Sequence, residues 1–223
     1  MHTETDRTMN QPDLYQPASN VLELRAVGCA YETGRPAIRN ISFAAREGEI
    51  LCLLGPSGCG KTTILRAIAG FEPVRSGELF LSGRLVSNAT TTVPTEERRV
   101  GMVFQEYALF PHLRVADNIS FGLQHLSRGD RRCQVQEMLR LTGLEGFERR
   151  YPHELSGGQQ QRVASARALV SRPDIVFADE PTGNLDSRSG QELLAFLRAA
   201  VREHGQTIVD RKSTRLNSSH ITI

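Results

Sequence analysis

The chain has 223 residues, of which 39% are hydrophobic, so it can fill the core of one large α/β domain or two small ones. No apolar run approaches the ~18 residues that span a bilayer. Residues 1–20 are predicted to form a disordered polar tail, without the apolar centre of a signal peptide. Of 27 basic and 25 acidic residues, three basic and one acidic lie in residues 210–223. The rest of the chain is balanced in charge, which argues against a nucleic-acid partner.

The cysteines and histidines show no metal-ligand spacing. Four cysteines stand singly, without a C-x-x-C pair. This pattern argues against a zinc site or a disulfide framework and is typical of a reducing compartment. We therefore expect the cysteines to be small packing residues: Cys29, Cys52, Cys59 and Cys133.

The first half of the chain contains β-rich and helical segments in turn. Residues 21–48 carry short β-rich pieces broken by glycine and proline, which predicts small antiparallel strands. Ile50–Leu54 is a continuous apolar run of strand length, and residues 62–69 then place Ile64, Leu65 and Ile68 on one helical face. A buried strand, a tight loop and a helix are predicted here.

The second half repeats the alternation of strand and helix. Ile175–Ala178 predicts a buried strand, residues 189–203 a helix, and residues 207–209 the start of another strand. Such alternation indicates a parallel, doubly wound sheet. Residues 115–151 have helical patterns and predict a helical insertion, which we place at about residues 110–160.

A phosphate-binding loop is predicted between the first buried strand and its helix. The sequence there matches G-x-x-x-x-G-K-[ST]. Its glycines let backbone N–H groups surround phosphate oxygens, Lys61 can bridge the terminal phosphates, and the Thr62 hydroxyl can bind Mg²⁺. The alternative is an ordinary glycine-rich turn. The candidate nucleotide-binding residues are Gly55, Pro56, Ser57, Gly58, Cys59, Gly60, Lys61, Thr62 and Thr63.

Two carboxylates follow the second buried strand. Asp179 suits the Mg²⁺ shell, and Glu180 suits a base that polarises an attacking water. An acidic pair at a strand end can also be a plain loop start. The phosphate loop favours the functional interpretation, because sites gather at the carboxyl ends of parallel strands.

A second glycine-rich helix start lies about 95 residues after the first. The octapeptide of residues 155–162, Leu-Ser-Gly-Gly-Gln-Gln-Gln-Arg, offers an anion-binding terminus without its own lysine. It closely resembles the signature of ATP-binding cassette (ABC) ATPases, and the resemblance covers residues 21–209. It implies a RecA-like P-loop NTPase sheet with an N-terminal antiparallel β subdomain and a helical insertion that carries the signature.

The family resemblance assigns further roles by position. Tyr31 matches the aromatic residue that stacks on adenine, although a buried strand tyrosine is the alternative. Gln105 matches the glutamine that reaches Mg²⁺ and the attacking water, and Asp186 matches the loop that crosses the dimer interface. The signature residues that would bind ATP from the partner are Ser156, Gly157, Gly158 and Gln159.

The resemblance also implies partners and a location. Two cassettes pack head to tail and hold ATP with Mg²⁺ between them, and they drive membrane-spanning permease subunits from the cytoplasmic face of the cell membrane. Residues 107–112 follow Gln105 and predict either a docking surface for a permease helix or packing between subdomains. Soluble ABC proteins usually show tandem cassettes or a coiled-coil insertion, which this sequence lacks.

The type of transporter is less uniform along the chain. Residues 98–112 resemble importer ATPases of the ferric-iron and polyamine kind, whereas residues 177–187 resemble ATPases of lipoprotein-release and macrolide-export systems. A natural intermediate subfamily or a sequence joined from two genes would explain this. We expect an importer ATPase, with an exporter ATPase as the alternative.

The last fourteen residues have an unusual character. Residues 210–220 resemble, codon for codon, the translation of a common short-read sequencing adapter, so we predict that residues 210–223 are a non-native tail. Family members continue after residues 207–209 with a switch histidine, and that histidine is then missing here. His220 cannot take its place, because it stands too far along the chain and in the wrong segment. A truncated, catalytically inactive fragment is a further alternative for the chain as written.

Overall fold

The computed structural model describes residues 20–30, 36–56, 58–183, 185–210 and 219–222. Two sheets and a set of helices form the described fold. The antiparallel sheet has the strand order β2-β1-β4-β5. Its strands are β1 (Asn20–Ala30), β2 (Pro36–Arg46), β4 (Ser76–Leu81) and β5 (Arg84–Ser87).

The second sheet is parallel and has the strand order β6-β7-β8-β3-β9. Its strands are β3 (Ile50–Leu54), β6 (Val100–Val103), β7 (Ile175–Ala178), β8 (Thr207–Asp210) and β9 (Ser219–Thr222). All four residues of β7 are buried. Burial on both faces is why β7 is a continuous apolar run rather than an alternating one.

The described residues contain five α-helices, which pack on the two faces of this sheet. They are α1 (Lys61–Ala69), α2 (Val115–Ser120), α3 (Arg128–Leu141), α4 (Gly157–Leu169) and α5 (Ser187–His204). The helix α1 ends at Gly70, whose φ of 95° is left-handed and lets its N–H bond the Ala67 and Arg66 carbonyls. The helix α5 begins after Asp186, which accepts from the N–H groups of Arg188 and Ser189. No helix of the described residues has the length and apolar character to cross a membrane.

The parallel sheet separates two hydrophobic cores. Ile175 and Phe177 of β7 join the core shared with α1 and the antiparallel sheet. Val176 and Ala178 point the other way, into the core shared with α2, α3, α4 and α5. This period of two follows from the strand pleat. The second core fastens the helical insertion to the sheet, so each predicted subdomain packs on one sheet face.

The structure confirms the predicted fold class and most of its elements. Ile64, Leu65 and Ile68 are fully buried, as the helical pattern of α1 predicts. The helix α5 begins two residues before the predicted start because Asp186 caps it. The strands β1 and β2 are longer than the short pieces expected.

The ends of the described fold differ from the predicted boundaries. Asn20 starts β1 and Asp210 ends β8. Ser219–Thr222 pairs in parallel with β3, where Cys52 lies opposite His220. The backbone of this segment therefore occupies an edge of the parallel sheet. That residues 210–223 are a non-native tail stays a prediction.

Candidate nucleotide-binding site

The phosphate loop lies between β3 and α1, where the sequence predicts it. Gly58 and Gly60 have φ values of 82° and 100°, a backbone conformation that side chains disfavour. A Cβ atom at Gly60 would overlap the side chain of Ile38 on β2. Glycine thus allows the loop to turn tightly against the antiparallel sheet at the N-terminus of the nine-residue helix α1. This cradle fits an anionic phosphate.

Lys61 is folded back on the phosphate loop. Its Nζ donates to the carbonyl oxygens of Gly55 and Pro56 at 2.6 Å each and lies 3.4 Å from Cys59 Sγ. The side chain is buried, with 7% exposed. A buried ammonium held by neutral carbonyls gains a stronger partner when a phosphate oxygen approaches. The loop is therefore arranged to deliver a positive charge to an anion.

Strand order brings the other predicted ligands to the same edge of the sheet. Val103 pairs with Ala178, so Gln105 and Asp179 both follow the carboxyl ends of neighbouring strands. The strand β3, which leads to the phosphate loop and Thr62, lies two strands from β7. Strands are ~4.8 Å apart, which puts these ends about 10 Å from each other. Hydroxyl, amide and carboxylate oxygens on one edge form a donor set that suits Mg²⁺.

Glu180 has a strained backbone beside Gln105. Its φ of 49° is left-handed, and its carbonyl accepts from Gly183 N at 2.9 Å in a tight turn. A Cβ atom at Gly183 would lie 3.3 Å from Gln105 Nε2. The glutamine side chain therefore reaches the turn after β7. Strain of this kind costs about 1–3 kcal/mol and clusters at functional sites.

The predicted signature begins α4 with a capping box. Ser156 Oγ accepts from Gln159 N at 3.3 Å, and Gln159 Oε1 accepts from Ser156 N at 3.0 Å. Its two glycines lie close to side chains of this chain. A Cβ atom would lie 2.9 Å from Tyr107 Oη at Gly157 and 2.7 Å from Ser189 Oγ at Gly158.

Asp186 connects this region to α5. Its carboxylate accepts from Ser189 N at 3.0 Å and from Ser189 Oγ at 2.8 Å. These bonds lower the pKa of Asp186 below its ordinary value. The predicted interface residue is therefore a charged helix cap that also orients the serine beside Gly158. Tyr31 and Ser57, which are also predicted site residues, lie outside the described residues.

Sequence reasoning gave no role to Arg98, which lies between β5, α1 and β6. Its guanidinium is 3% exposed and donates to four carbonyl oxygens, those of Ala67, Ile68, Val86 and Val93. Burial lowers the pKa of Arg98 below its ordinary value. In the sequence it is one half of an Arg-Arg pair, and nothing local distinguishes it from its exposed neighbour.

A phosphate loop, a carboxylate pair at the edge of a parallel sheet and a capped glycine-rich helix start together define an ATP-binding cassette. Residues 38–183 match the family described as ABC transporter, and the chain belongs to this family.

Similar proteins of this family include named importers. The chain is 45% identical over 218 residues to the "Spermidine/putrescine import ATP-binding protein PotA" of Thermobifida fusca. This match covers 94% of the chain and 56% of that protein. It is 44% identical over 174 residues to the "Fe(3+) ions import ATP-binding protein FbpC" of Haemophilus influenzae. This match covers 77% of the chain and 50% of that protein. The chain thus spans about half the length of these curated relatives.

A solved cassette shares the fold. The chain matches the "Dimeric structure of a post-hydrolysis state of the ATP-binding cassette MJ0796 bound to ADP and Pi" with a TM-score of 0.75 and 33% identity. The match covers 86% of this chain and 88% of the other. The predicted fold class is therefore confirmed by a cassette of known structure.

Proposed function

We propose that the chain is the ATP-binding and ATP-hydrolysing subunit of an ABC importer. The observation that carries this proposal is the meeting of the phosphate loop, Gln105 and the Asp179–Glu180 pair at one edge of the parallel sheet. Each part supplies one function that phosphoryl transfer from ATP to water needs. The names of the importer relatives support the direction of transport.

Different residues of the chain have different roles in binding and hydrolysing ATP. Backbone N–H groups at the start of α1 and the ammonium of Lys61 bind the phosphates. The oxygens of Thr62, Gln105 and Asp179 would hold Mg²⁺, which when bound would neutralise charge on the phosphate oxygens. Glu180 accepts a hydrogen bond from the attacking water and aligns it. Its left-handed backbone is set by the turn to Gly183.

A second copy of the cassette is proposed to complete the site. Ser156 and Gly157 lie at the start of a 13-residue helix, and the motif there has no lysine of its own. We therefore place them opposite the phosphate loop of a head-to-tail partner, with Tyr31 on adenine and Asp186 at the interface. The dimeric state named for the MJ0796 cassette supports this arrangement.

Permease subunits are proposed as the transport partners, and the cytoplasmic face of the cell membrane as the location. The importer names of the relatives support both. Within residues 107–112, Phe110 is half-buried and its ring centroid lies 4.4 Å from that of Phe121. Packing thus accounts for Phe110, while Ala108, Pro111 and His112 are exposed and available to a partner.

Glu180→Gln tests the proposed hydrolysis. The amide cannot take up the proton of the attacking water, so turnover should fall roughly 10²-fold or more while ATP affinity stays within about twofold. The ATP-bound dimer should then accumulate, as measured by light scattering. Glu145→Gln, at an exposed position, is the matched control. A Glu180→Gln protein that turns over ATP at the wild-type rate, or that stays monomeric with ATP, contradicts the proposal.

An exporter is the second candidate, because residues 177–187 resemble exporter ATPases. One long sequencing read through the source locus separates the two candidates. An importer-type permease gene beside this one supports import, and an exporter-type gene supports export.

A further inference from the structure

The loop after Gln105 is fastened to α4 by a single arginine. Arg167, in the last turn of α4, donates from Nη1 to Ala108 O at 2.8 Å and from Nη2 to Tyr107 O at 3.4 Å. Its guanidinium also lies 5.5 Å from the ring centroid of Phe110. Three parts of the loop therefore contact one side chain that belongs to the signature helix.

The backbone of this loop needs such a partner. Tyr107 and Ala108 have φ values of 60° and 49°, and both are left-handed without being glycine. This conformation is disfavoured for L-residues and persists only where the surroundings impose it. Two carbonyl groups aimed at one cation provide that constraint. Burial partly withdraws the charge of Arg167 from water and lowers its pKa below the ordinary value.

The far end of the loop is also attached to the helical insertion. Asn118 of α2 is fully buried; its Oδ1 accepts from Phe110 N at 2.9 Å, and its Nδ2 donates to Phe110 O at 3.1 Å. The helices α2 and α4 share one hydrophobic core. Residues 107–110 are therefore bound at both ends to the helical insertion.

The near side of Gln105 is held by the parallel sheet. Val103 pairs with Ala178 inside the parallel sheet, and Asp179 N donates to Val103 O at 2.9 Å. Residues 104–106 therefore lead directly from the sheet to the fastened loop. Gln105 is the middle residue of that connection.

We propose that Arg167 is a positioning residue: by holding residues 107–110 against α4, it fixes where the neighbouring Gln105 lies in the site. This inference rests on the proposed ATPase function. Without the guanidinium, Tyr107 and Ala108 relax from their left-handed conformation, and Gln105 loses its fixed position. Tyr107 Oη, which lies over Gly157, then leaves the signature helix.

A fluorescence experiment tests the attachment directly, without any need for turnover. The chain contains no tryptophan, so Tyr107→Trp introduces a single reporter at the contact. In this reporter protein, adding Arg167→Met should shift the emission to longer wavelength and raise acrylamide quenching at least about twofold, because the indole leaves its packed site. The matched control is Arg172→Met, which removes an exposed arginine 3.6 Å from Glu137. Equal emission and quenching with and without Arg167→Met would overturn the proposal.

Kinetics test the consequence for Gln105. Arg167→Met should lower kcat about 10-fold or more while KM and the Kd for Mg-ATP stay within about twofold, because a misplaced positioning group affects the reaction more than binding. Arg167→Lys keeps the charge and should recover part of the rate. If the methionine variant does not fold, Arg167→Lys still tests whether Arg167 positions Gln105. Unchanged kcat in a folded variant, or an equal loss in Arg172→Met, overturns the proposal. If the wild-type chain itself does not bind ATP, the proposed function fails, and the fluorescence experiment still decides the attachment.

Discussion

Arg98→Met is expected to destabilise the whole cassette, because this guanidinium joins three elements from within the core. Of its four carbonyl acceptors, Ala67 O also accepts from Gly70 N, and Val86 O also accepts from Val93 N. The carbonyls of Ile68 and Val93 lose their arginine donor at 2.8 Å each. An unsatisfied buried group costs about 1–3 kcal/mol, so the expected loss in the free energy of unfolding for these two carbonyls is about 2–6 kcal/mol.

Arg99→Met is the matched control for this prediction. Arg99 is 70% exposed and its Nη2 lies 3.1 Å from Asp174 Oδ1, so its removal should cost less than about 1 kcal/mol. Urea unfolding of the two variants gives both values. Because about 1 kcal/mol corresponds to about 2–4 °C in a protein of this size, thermal scans should show a loss of about 4–24 °C for Arg98→Met. Equal stability of the two variants would refute the assignment of Arg98 to the core.

Two further predictions concern the packing of α4 and the thiols. A Cβ atom at Gly101 would overlap the carbonyl oxygen of Ala168. Gly101→Ala should therefore force α4 away from β6 and lower the unfolding temperature by several degrees. Gly122→Ala is the control and should leave the unfolding temperature unchanged, because a Cβ atom there meets nothing within 4 Å. Burial raises the pKa of the Cys29 thiol to about 11, so at about pH 8 this thiol should react with a disulfide reagent far more slowly than the exposed Cys133. Since the unfolded thiol ionises near pH 9 and the folded one near 11, the stability contributed by Cys29 is complete below pH 9 and falls as the pH rises through this interval. A similar loss of unfolding temperature in both alanine variants, or equal labelling rates of the two thiols, would contradict these predictions.

The parts of the fold that have a local signal could be predicted from the sequence alone. The parallel strands are apolar runs, and the phosphate loop is a motif with fixed spacing, so the positions of both follow from the order of residues. The hairpin of β4 and β5 was missed although its signal is present. Ser82 and Gly83 have φ values of 47° and 75° and form a tight turn between two β-rich segments.

Other features of the site depend on contacts that the sequence does not reveal. Arg98 and Arg167 are ordinary arginines in the sequence, and their burial depends on carbonyl groups up to 31 and 60 residues away. The left-handed backbone of Glu180, Tyr107 and Ala108 likewise follows from tertiary packing. Local propensity cannot predict it, because side chains disfavour that conformation.

Calorimetric titration of Mg-ATP measures whether the phosphate loop binds ATP. The chain should bind, and Lys61→Ala should weaken binding about 100-fold or more, because the phosphates lose their buried cation. Arg66→Ala, which removes an exposed cation on the same helix, should change the affinity less than about twofold. If Lys61→Ala binds Mg-ATP as tightly as the unaltered chain, the phosphate loop is not the nucleotide site, and the proposed ATPase function is wrong.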